Sequence, residues 1–306
     1  MILICGIPSE SPLAMVHEQL VALGVPVVLF NQRNFSRMDF SFELRGTTVS
    51  GLLKIDGSEY RLEDFTGVYA RLMDERLLPE FKSEAEWSPL RSQCHGLHNA
   101  LIQWCEIAPA RVVNRVAPMS TNASKPYQAQ LISRQGFAVP DTLITNDPEL
   151  VREFQRDRPV IYKSISSVRS IVQALRAEDL ARLDRIRWCP TQFQELIQGT
   201  NVRVHVVGAE CFATAITSET TDYRYAYKTG KHTELREVDL DGGLAEKCVH
   251  LARALNLPFA GIDLIITPDE QAYCLEVNPS PGFSYYERHT GQPVARALAR
   301  YLAGMA

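Results

Sequence analysis

The chain has 306 residues, 45% hydrophobic and 22% charged, an ordinary balance for a globular protein with two or three subdomains and substantial cores. Its formal net charge of -4 leaves no basic excess for a dedicated nucleic-acid binder. No apolar run is long enough to cross a bilayer, residues 1–8 lack the basic flank and length of a signal sequence, and the seven cysteines are scattered without a Cys-x-x-Cys pair. These features point to a cytoplasmic protein with reduced thiols, and exclude membrane and nucleic acid as expected partners.

In chain order, residues 1–7 read as a buried strand. Residues 12–23 form a helix with Leu13, Val16, Leu20 and Leu23 on one face, and residues 25–30 a second strand after Gly24. Such a β-α-β start predicts a parallel sheet. Residues 40–44 and 52–62, punctuated by Gly46, Gly51 and Asp56-Gly57, predict antiparallel ribbons, and residues 68–72 a further strand. Residues 84–107 predict a long helix, with Trp87, Leu90, Cys94, Leu97, Leu101 and Trp104 at spacings of three and four. Val112 and Val113 close this first unit, 1–113, as a strand. A second unit, 114–189, carries helices near 125–135 and 148–156, strands near 142–145 and 160–163, and many arginines whose interspersed acids mark a solvated face. The third unit, 190–306, is strand-rich, with strands at 192–197, 202–207, 210–217, 259–267 and 272–277 and helices at 243–255 and 293–302. The polar stretch 218–237 reads as a long connection between strands.

The chemistry is concentrated in the last unit. Glu276 and Asn278 stand two residues apart on an apolar run, so both side chains leave one face of a strand. Asp263 lies in the preceding run, Gly261-Ile262-Asp263-Leu264-Ile265-Ile266. Adjacent antiparallel strands bring the three oxygen donors together, and phosphate oxygens and water complete a set suited to Mg2+. The plainer alternative, ion-paired strand residues, requires matching cations, because a carboxylate inside an apolar run is costly to bury alone. A nucleoside triphosphate is the ligand such a set implies.

Lys163 ends Val160-Ile161-Tyr162-Lys163 and precedes Ser164-Ile165-Ser166-Ser167, so it can reach a phosphate or snorkel from a strand edge. Lys125, at a helix start, can meet phosphate or lie solvated. The segment Gln194-Glu195-Leu196-Ile197 can offer backbone groups to a purine edge. Gly199 then turns the chain, letting Asn201 face a ribose and Arg203 the transferred phosphate; an amphipathic edge strand and hairpin is the structural alternative. The connection 218–237, with Arg224, Lys228 and Lys231 among tyrosines, suits an active-site loop or a plain surface loop. Cys94-His95-x-x-His98, with Cys105 nearby, falls short of the four well-placed ligands of a closed zinc site, so zinc is not expected there. Neither a P-loop nor a Gly-x-Ser-x-Gly elbow is present.

The order of these motifs resembles the ATP-grasp superfamily: Lys125, Val-Ile-Tyr-Lys163, Gln-Glu195-Leu-Ile197 with Asn-Val-Arg203, Gly-Ile-Asp263, then Leu-Glu276-Val-Asn278-Pro-Ser-Pro-Gly282. Within it the pattern is similar to the glutathione-synthetase and ribosomal-protein-S6-modification branch. The amino-terminal ribbons and Val68-Tyr69-Ala70-Arg71 look like the ATP-grasp ribosomal peptide maturases. The resemblance implies an α/β (α+β) fold: a parallel-sheet substrate-side domain (1–113), a central lid subdomain (114–189) and a mainly antiparallel catalytic subdomain (190–306). It implies that Lys125 and Lys163 hold the ATP phosphates, Gln194 meets the adenine amino group, and the backbones of Glu195 and Ile197 form the hinge. Asn201 stands where the family usually has an acid for the ribose, an exchange that keeps hydrogen bonding to hydroxyls. Asp263, Glu276 and Asn278 would carry one or two Mg2+ ions, with Mn2+ as a substitute. One departure is plain: residues 164–171 contain no glycine, where relatives have a glycine-rich phosphate cover, so Ser164, Ser166, Ser167 or Arg169 must substitute.

The implied reaction joins a carboxylate to an amine or hydroxyl through an acylphosphate, with Arg203 at the transferred phosphate and the oxyanion. Arg71, Arg224, Lys228, Ser280 and Gly282 are the candidate substrate contacts, for an amino acid or a peptide. The alternatives are a kinase that stops at phosphoryl transfer and a nucleotide-binding module without turnover. A dimer or tetramer is the default assembly.

Overall fold

The structure, a computed structural model, describes residues 1–82, 84–85, 88–165, 172–218 and 233–305. Its first sheet grows from the β-α-β start: β1 (Ile2–Gly6), α1 (Ser11–Ala22) and β2 (Val27–Asn31). A three-stranded antiparallel ribbon follows, β3 (Met38–Arg45), β4 (Thr48–Ile55) and β5 (Ser58–Arg61), then β6 (Gly67–Arg71), α2 (Pro89–Ile107) and β7 (Arg111–Val113). The order β2-β1-β6-β7 is parallel throughout. β1 is covered on both faces, which is why it reads as a continuous apolar run. Ile2 and Ile4 pack toward α1, while Leu3 and Cys5 share a core with Leu101 and Trp104 of α2.

The predicted helix 84–107 starts later. Ser88 is its N-cap, its hydroxyl accepting from Arg91 N at 3.2 Å, and Pro89 occupies the first turn. Trp87 lies outside the described residues.

The next strands are antiparallel. After α3 (Val116–Met119) and α4 (Lys125–Arg134) come β8 (Thr142–Thr145), α5 (Pro148–Phe154), β9 (Val160–Ser164), β10 (Gln173–Ala174), α6 (Ala177–Leu180) and β11 (Thr191–Glu195), in the sheet order β10-β9-β11-β8. β11 therefore belongs with the central strands, although it follows residue 189.

The last sheet has the order β14-β13-β12-β15-β16 and is antiparallel. Its elements are β12 (Thr200–Val207), β13 (Glu210–Ser218), β14 (Thr233–Val238), α7 (Gly242–Ala254), β15 (Phe259–Ile266), β16 (Ala272–Asn278), α8 (Ser284–Thr290) and α9 (Val294–Ala303). One face packs on α4 and α7 through Val202, Val204, Val206, Ile262 and Leu264. α9 crosses back to α1 and the first sheet, burying Val294, Leu298 and Leu302 with Ile2, Ile4 and Leu20.

The end of the predicted connection 218–237 is thus an edge strand. In β14 the run Thr-Glu-Leu-Arg-Glu-Val alternates weakly and carries charge, as edge strands do, so its sequence resembles a loop. No helix among the described residues is long and apolar enough to cross a membrane.

Candidate active site

Strand alternation sends Val202, Val204 and Val206 of β12 into the core and leaves Asn201, Arg203 and His205 on the opposite face. Register then builds a polar row across all five strands: Glu237 pairs with Thr214, Thr214 with Arg203, Arg203 with Asp263, and Asp263 with Glu276. A bulge shapes its end. Leu264 pairs with Cys274 although Asp263 pairs with Glu276, so Leu275 is the additional residue. Cys274 and Val277 therefore share the core, while Glu276 and Asn278 share the polar face.

Each carboxylate meets a cation. Arg203 Nη1 donates to Asp263 Oδ1 at 2.5 Å, and Lys125 Nζ donates to Glu276 Oε2 at 2.8 Å. α4 delivers Lys125 because Gln128, one turn further on, clamps the exposed edge of β16. Its Nε2 donates to Val277 O at 2.8 Å and its Oε1 accepts from Val277 N at 3.0 Å. Asn278 Oδ1 accepts from Ser280 N at 2.9 Å, forming an Asx turn. Gly261 leaves room for the arginine: a Cβ there would stand 2.7 Å from Arg203 Nη2 and 2.7 Å from Pro281 Cβ.

The donor set fits Mg2+. It consists of two carboxylates and an amide oxygen, all hard ligands, on neighbouring strands. The positive charges of Arg203 and Lys125 already balance the two carboxylates, so a dication here would need the negative charge of bound phosphates to match it.

The other sequence-derived residues fall as follows. Lys163 Nζ donates to Gln194 Oε1 at 3.0 Å, and Gln194 Nε2 donates to Thr142 Oγ1 at 3.0 Å, so the buried amide bridges β9 and β8. Glu195 N donates to Asp141 O at 2.9 Å, and Ile197 lies half-buried beyond the end of β11. Asn201 is half-buried on the same face as Arg203.

Arg71 and Ser280, 209 residues apart, are brought together: Arg71 Nη1 donates to Ser280 Oγ and to Pro281 O, each at 3.2 Å. The rest of the guanidinium is held by Glu10, with Nη2 at 2.6 Å from Oε1. Gly282 is exposed. Arg224, Lys228 and Lys231 lie outside the described residues, as do Ser166, Ser167 and Arg169.

Two contributors, Glu10 and Glu75, were not singled out in the sequence reading. Glu10 and Arg71 line a cavity of ≈ 290 Å³ with Ser280, Asn114 and His98. His98 also lines a cleft of ≈ 930 Å³ with Asp74, Glu75, Arg76, Arg91 and His95. In the Cys94–His98 segment, Cys94 faces the core while both imidazoles turn toward Glu75. Among the described residues no group of three His, Cys, Asp or Glu side chains is placed to hold a metal. Glu10 is the N-cap of α1, so a carboxylate just ahead of a periodic helix was the available clue to it, whereas Glu75 opens a three-residue turn without periodicity, which hides it.

Residues 123–302 match the RimK-like ATP-grasp domain, well over half of the chain. The chain belongs to that family. Among curated relatives it is 24% identical over 244 residues to a probable alpha-L-glutamate ligase of Enterobacter sp. (strain 638), covering 74% of this chain and 78% of the relative. It is 25% identical over 215 residues to the probable alpha-L-glutamate ligase of Teredinibacter turnerae, covering 66% and 70%. Among solved structures, the ATP-grasp ligase PsnB complexed with minimal precursor, Mg and ADP superposes with a TM-score of 0.79 at 26% identity, over 99% of this chain and 97% of that one. The macrocyclase MdnC bound with precursor peptide MdnA, from Microcystis aeruginosa MRC, has a TM-score of 0.80 at 23% identity over 100% of both chains.

Proposed function

We infer that the chain is an ADP-forming, ATP- and Mg2+-dependent ligase that joins a carboxylate to an amine through an acylphosphate, acting on an amino acid or a peptide. The observation that carries this reading is the in-register Arg203–Asp263–Glu276 row capped by Lys125, within a RimK-like ATP-grasp chain. The PsnB and MdnC complexes contain precursor peptides, and the ≈ 930 Å³ cleft is roomy for a peptide, which together favour a peptide over a free amino acid.

In this reading Asp263, Glu276 and Asn278 would hold the metal, which would supply positive charge to neutralise the negative charge gathering on the transferred phosphoryl oxygens. Lys125, close enough to Glu276 to donate to it, swings from the carboxylate to phosphate oxygens. Lys163 does the same from Gln194, freeing that amide for the adenine edge, with Glu195 and Ile197 as the hinge and Asn201 at the ribose. Arg203, given room by Gly261 and held by Asp263, would face the transferred phosphate and then the tetrahedral oxyanion. Arg71 holds the Ser280–Pro281 turn at the substrate side, with Gly282, Arg224 and Lys228 as further substrate contacts. Residues 1–113 form the substrate side, 114–189 with β11 the lid, and the remaining strands the catalytic sheet.

The test is a hydroxylamine trap with ATP, Mg2+ and pooled acidic peptides. A ligase yields a hydroxamate with ADP, whereas a kinase gives ADP and a stable phosphorylated product. Glu276→Ala is expected to cut ADP release at least about a hundred-fold while leaving the thermal midpoint close to wild type, since both Glu276 and Lys125 are partly exposed. Turnover retained by that variant rules out the metal assignment.

A further inference from the structure

Glu10 is the N-cap of α1, yet its carboxylate makes no hydrogen bond to the helix it opens. An acid at that position ordinarily accepts from a backbone N–H of the first helical turn. Here it reaches across to β6 instead, where Arg71 Nε and Nη2 both donate to Glu10 Oε1, at 3.0 Å and 2.6 Å. Strand register explains the reach. Gly6 ends β1 beside Arg71, which ends β6, and the chain then turns so that Glu10 N donates to Ile7 O at 2.9 Å. Gly6 permits this close approach: its φ is +152°, and a Cβ there would stand 2.6 Å from Arg71 O.

The pairing fixes which way the guanidinium points. The Arg71 side chain is 11% exposed, and with its Nε–Nη2 edge taken by Glu10, Nη1 faces the turn after β16. There it donates to Ser280 Oγ and to Pro281 O. Ser280 N in turn donates to Asn278 Oδ1 at 2.9 Å. That bond sets the orientation of the Asn278 amide and occupies one lone pair of its oxygen, leaving the other for a cation. Glu10, Arg71, Ser280 and Asn278 thus form one path from the first sheet to the polar face that carries Glu276. Asn114 pins the same turn independently, donating from Nδ2 to Pro279 O, so loss of Glu10 loosens the turn without releasing it.

We propose that Glu10 is a positioning residue of the metal site: by orienting Arg71 it holds Ser280 where the Ser280 N–H aims the Asn278 oxygen at the cation. This rests on the ligase reading above. The action is indirect, as is usual for groups that orient metal ligands from behind and raise affinity by doing so. As a contribution to stability alone the ion pair would count for little, because the Glu10 side chain is 37% exposed. Metal affinity is therefore where its loss is read, and docking of the first sheet on the last becomes a condition for tight metal binding.

The test uses the full chain with ADP and Mn2+, a paramagnetic substitute for Mg2+. Bound Mn2+ is read by electron paramagnetic resonance, and ADP binding in EDTA by calorimetry. Glu10→Ala is expected to weaken Mn2+ binding in the presence of ADP by about ten-fold, while ADP binding in EDTA and the thermal midpoint stay close to wild type. Glu10→Gln keeps an acceptor oxygen for Arg71 and is expected to recover most of that loss. In an Arg71→Met background, Glu10→Ala is expected to add nothing, because both substitutions break one path. Unchanged Mn2+ affinity in Glu10→Ala, independent and additive losses, or a fall in midpoint with equal weakening of ADP binding in EDTA each overturns the proposal and leaves the ligase reading standing. Failure of the wild type to bind Mn2+ together with ADP overturns that reading instead.

Discussion

Arg203, ion-paired with Asp263, is also enclosed by an aromatic ring. Its Cζ lies 5.8 Å from the Tyr286 ring centroid, and its side chain is 7% exposed. His205, two residues on and fully buried, stacks near Phe259 at 6.4 Å and meets Tyr286 edge-on at 4.9 Å. Neither of its ring nitrogens has a hydrogen-bond partner among the described residues. Burial, together with the Arg203 charge, pushes this imidazole well below its ordinary value of 6.5. The folded chain therefore refuses a proton that the unfolded chain accepts. Stability is fully present above about pH 6.5 and is lost below it at up to about 1.4 kcal/mol per pH unit. Denaturant melts at about pH 7 and about pH 5 are expected to show a steeper loss in the wild type than in His205→Leu. An identical slope in both proteins would remove His205 as its source. At this scale Asp263, Glu276 and Asn278 were legible because carboxylates and an amide inside apolar runs stand out. Glu75 was not, since its meaning depends on imidazoles twenty and more residues further along.

Among the elements, β16 shows how secondary structure positions chemistry. Its outer edge meets backbone at Ala138, which accepts from Cys274 N, and is closed further along by a side chain, Gln128 reproducing the missing ladder at Val277. Gln128→Leu leaves a buried N–H and a buried carbonyl without their partner and is expected to cost about 2–4 kcal/mol by urea denaturation. It should also weaken nucleotide binding, because α4 then loses the register that brings Lys125 over Glu276. A destabilisation below about 1 kcal/mol would show that the clamp is dispensable. The periodicity of β15 and β16 was readable, yet the bulge at Leu275 was not: period two puts Cys274 and Glu276 on one face, and only pairing with β15 separates them. β14 escaped for a similar reason, its charged alternation being what an edge strand and a loop have in common.

Across the whole molecule, the amino-terminal and carboxy-terminal sheets are joined by polar clamps as well as by packing. Asn114, 5% exposed just after β7, donates from Nδ2 to Phe259 O and Pro279 O and accepts at Oδ1 from Phe259 N at 3.2 Å. Asn114→Ala would strand three buried backbone groups and is expected to lower stability by about 2–4 kcal/mol. The same variant should open the seam beside Ser280, read as faster amide exchange at Phe259 than at Val204. Unchanged exchange at Phe259 would show that packing alone holds the seam. The parallel first sheet and antiparallel last sheet were apparent from element order. That α9 returns to α1 was not, because periodicity marks an apolar face without naming what it covers.

That return has a consequence for biogenesis. Ile2, Ile4, Leu13 and Leu20 leave the ribosome well ahead of Val294, Leu298 and Leu302, which complete their hydrophobic cluster. At roughly 10 residues per second the nascent first sheet waits on the order of half a minute with an apolar flank bare. Nascent chains arrested before Val294 are therefore expected to keep that flank exposed.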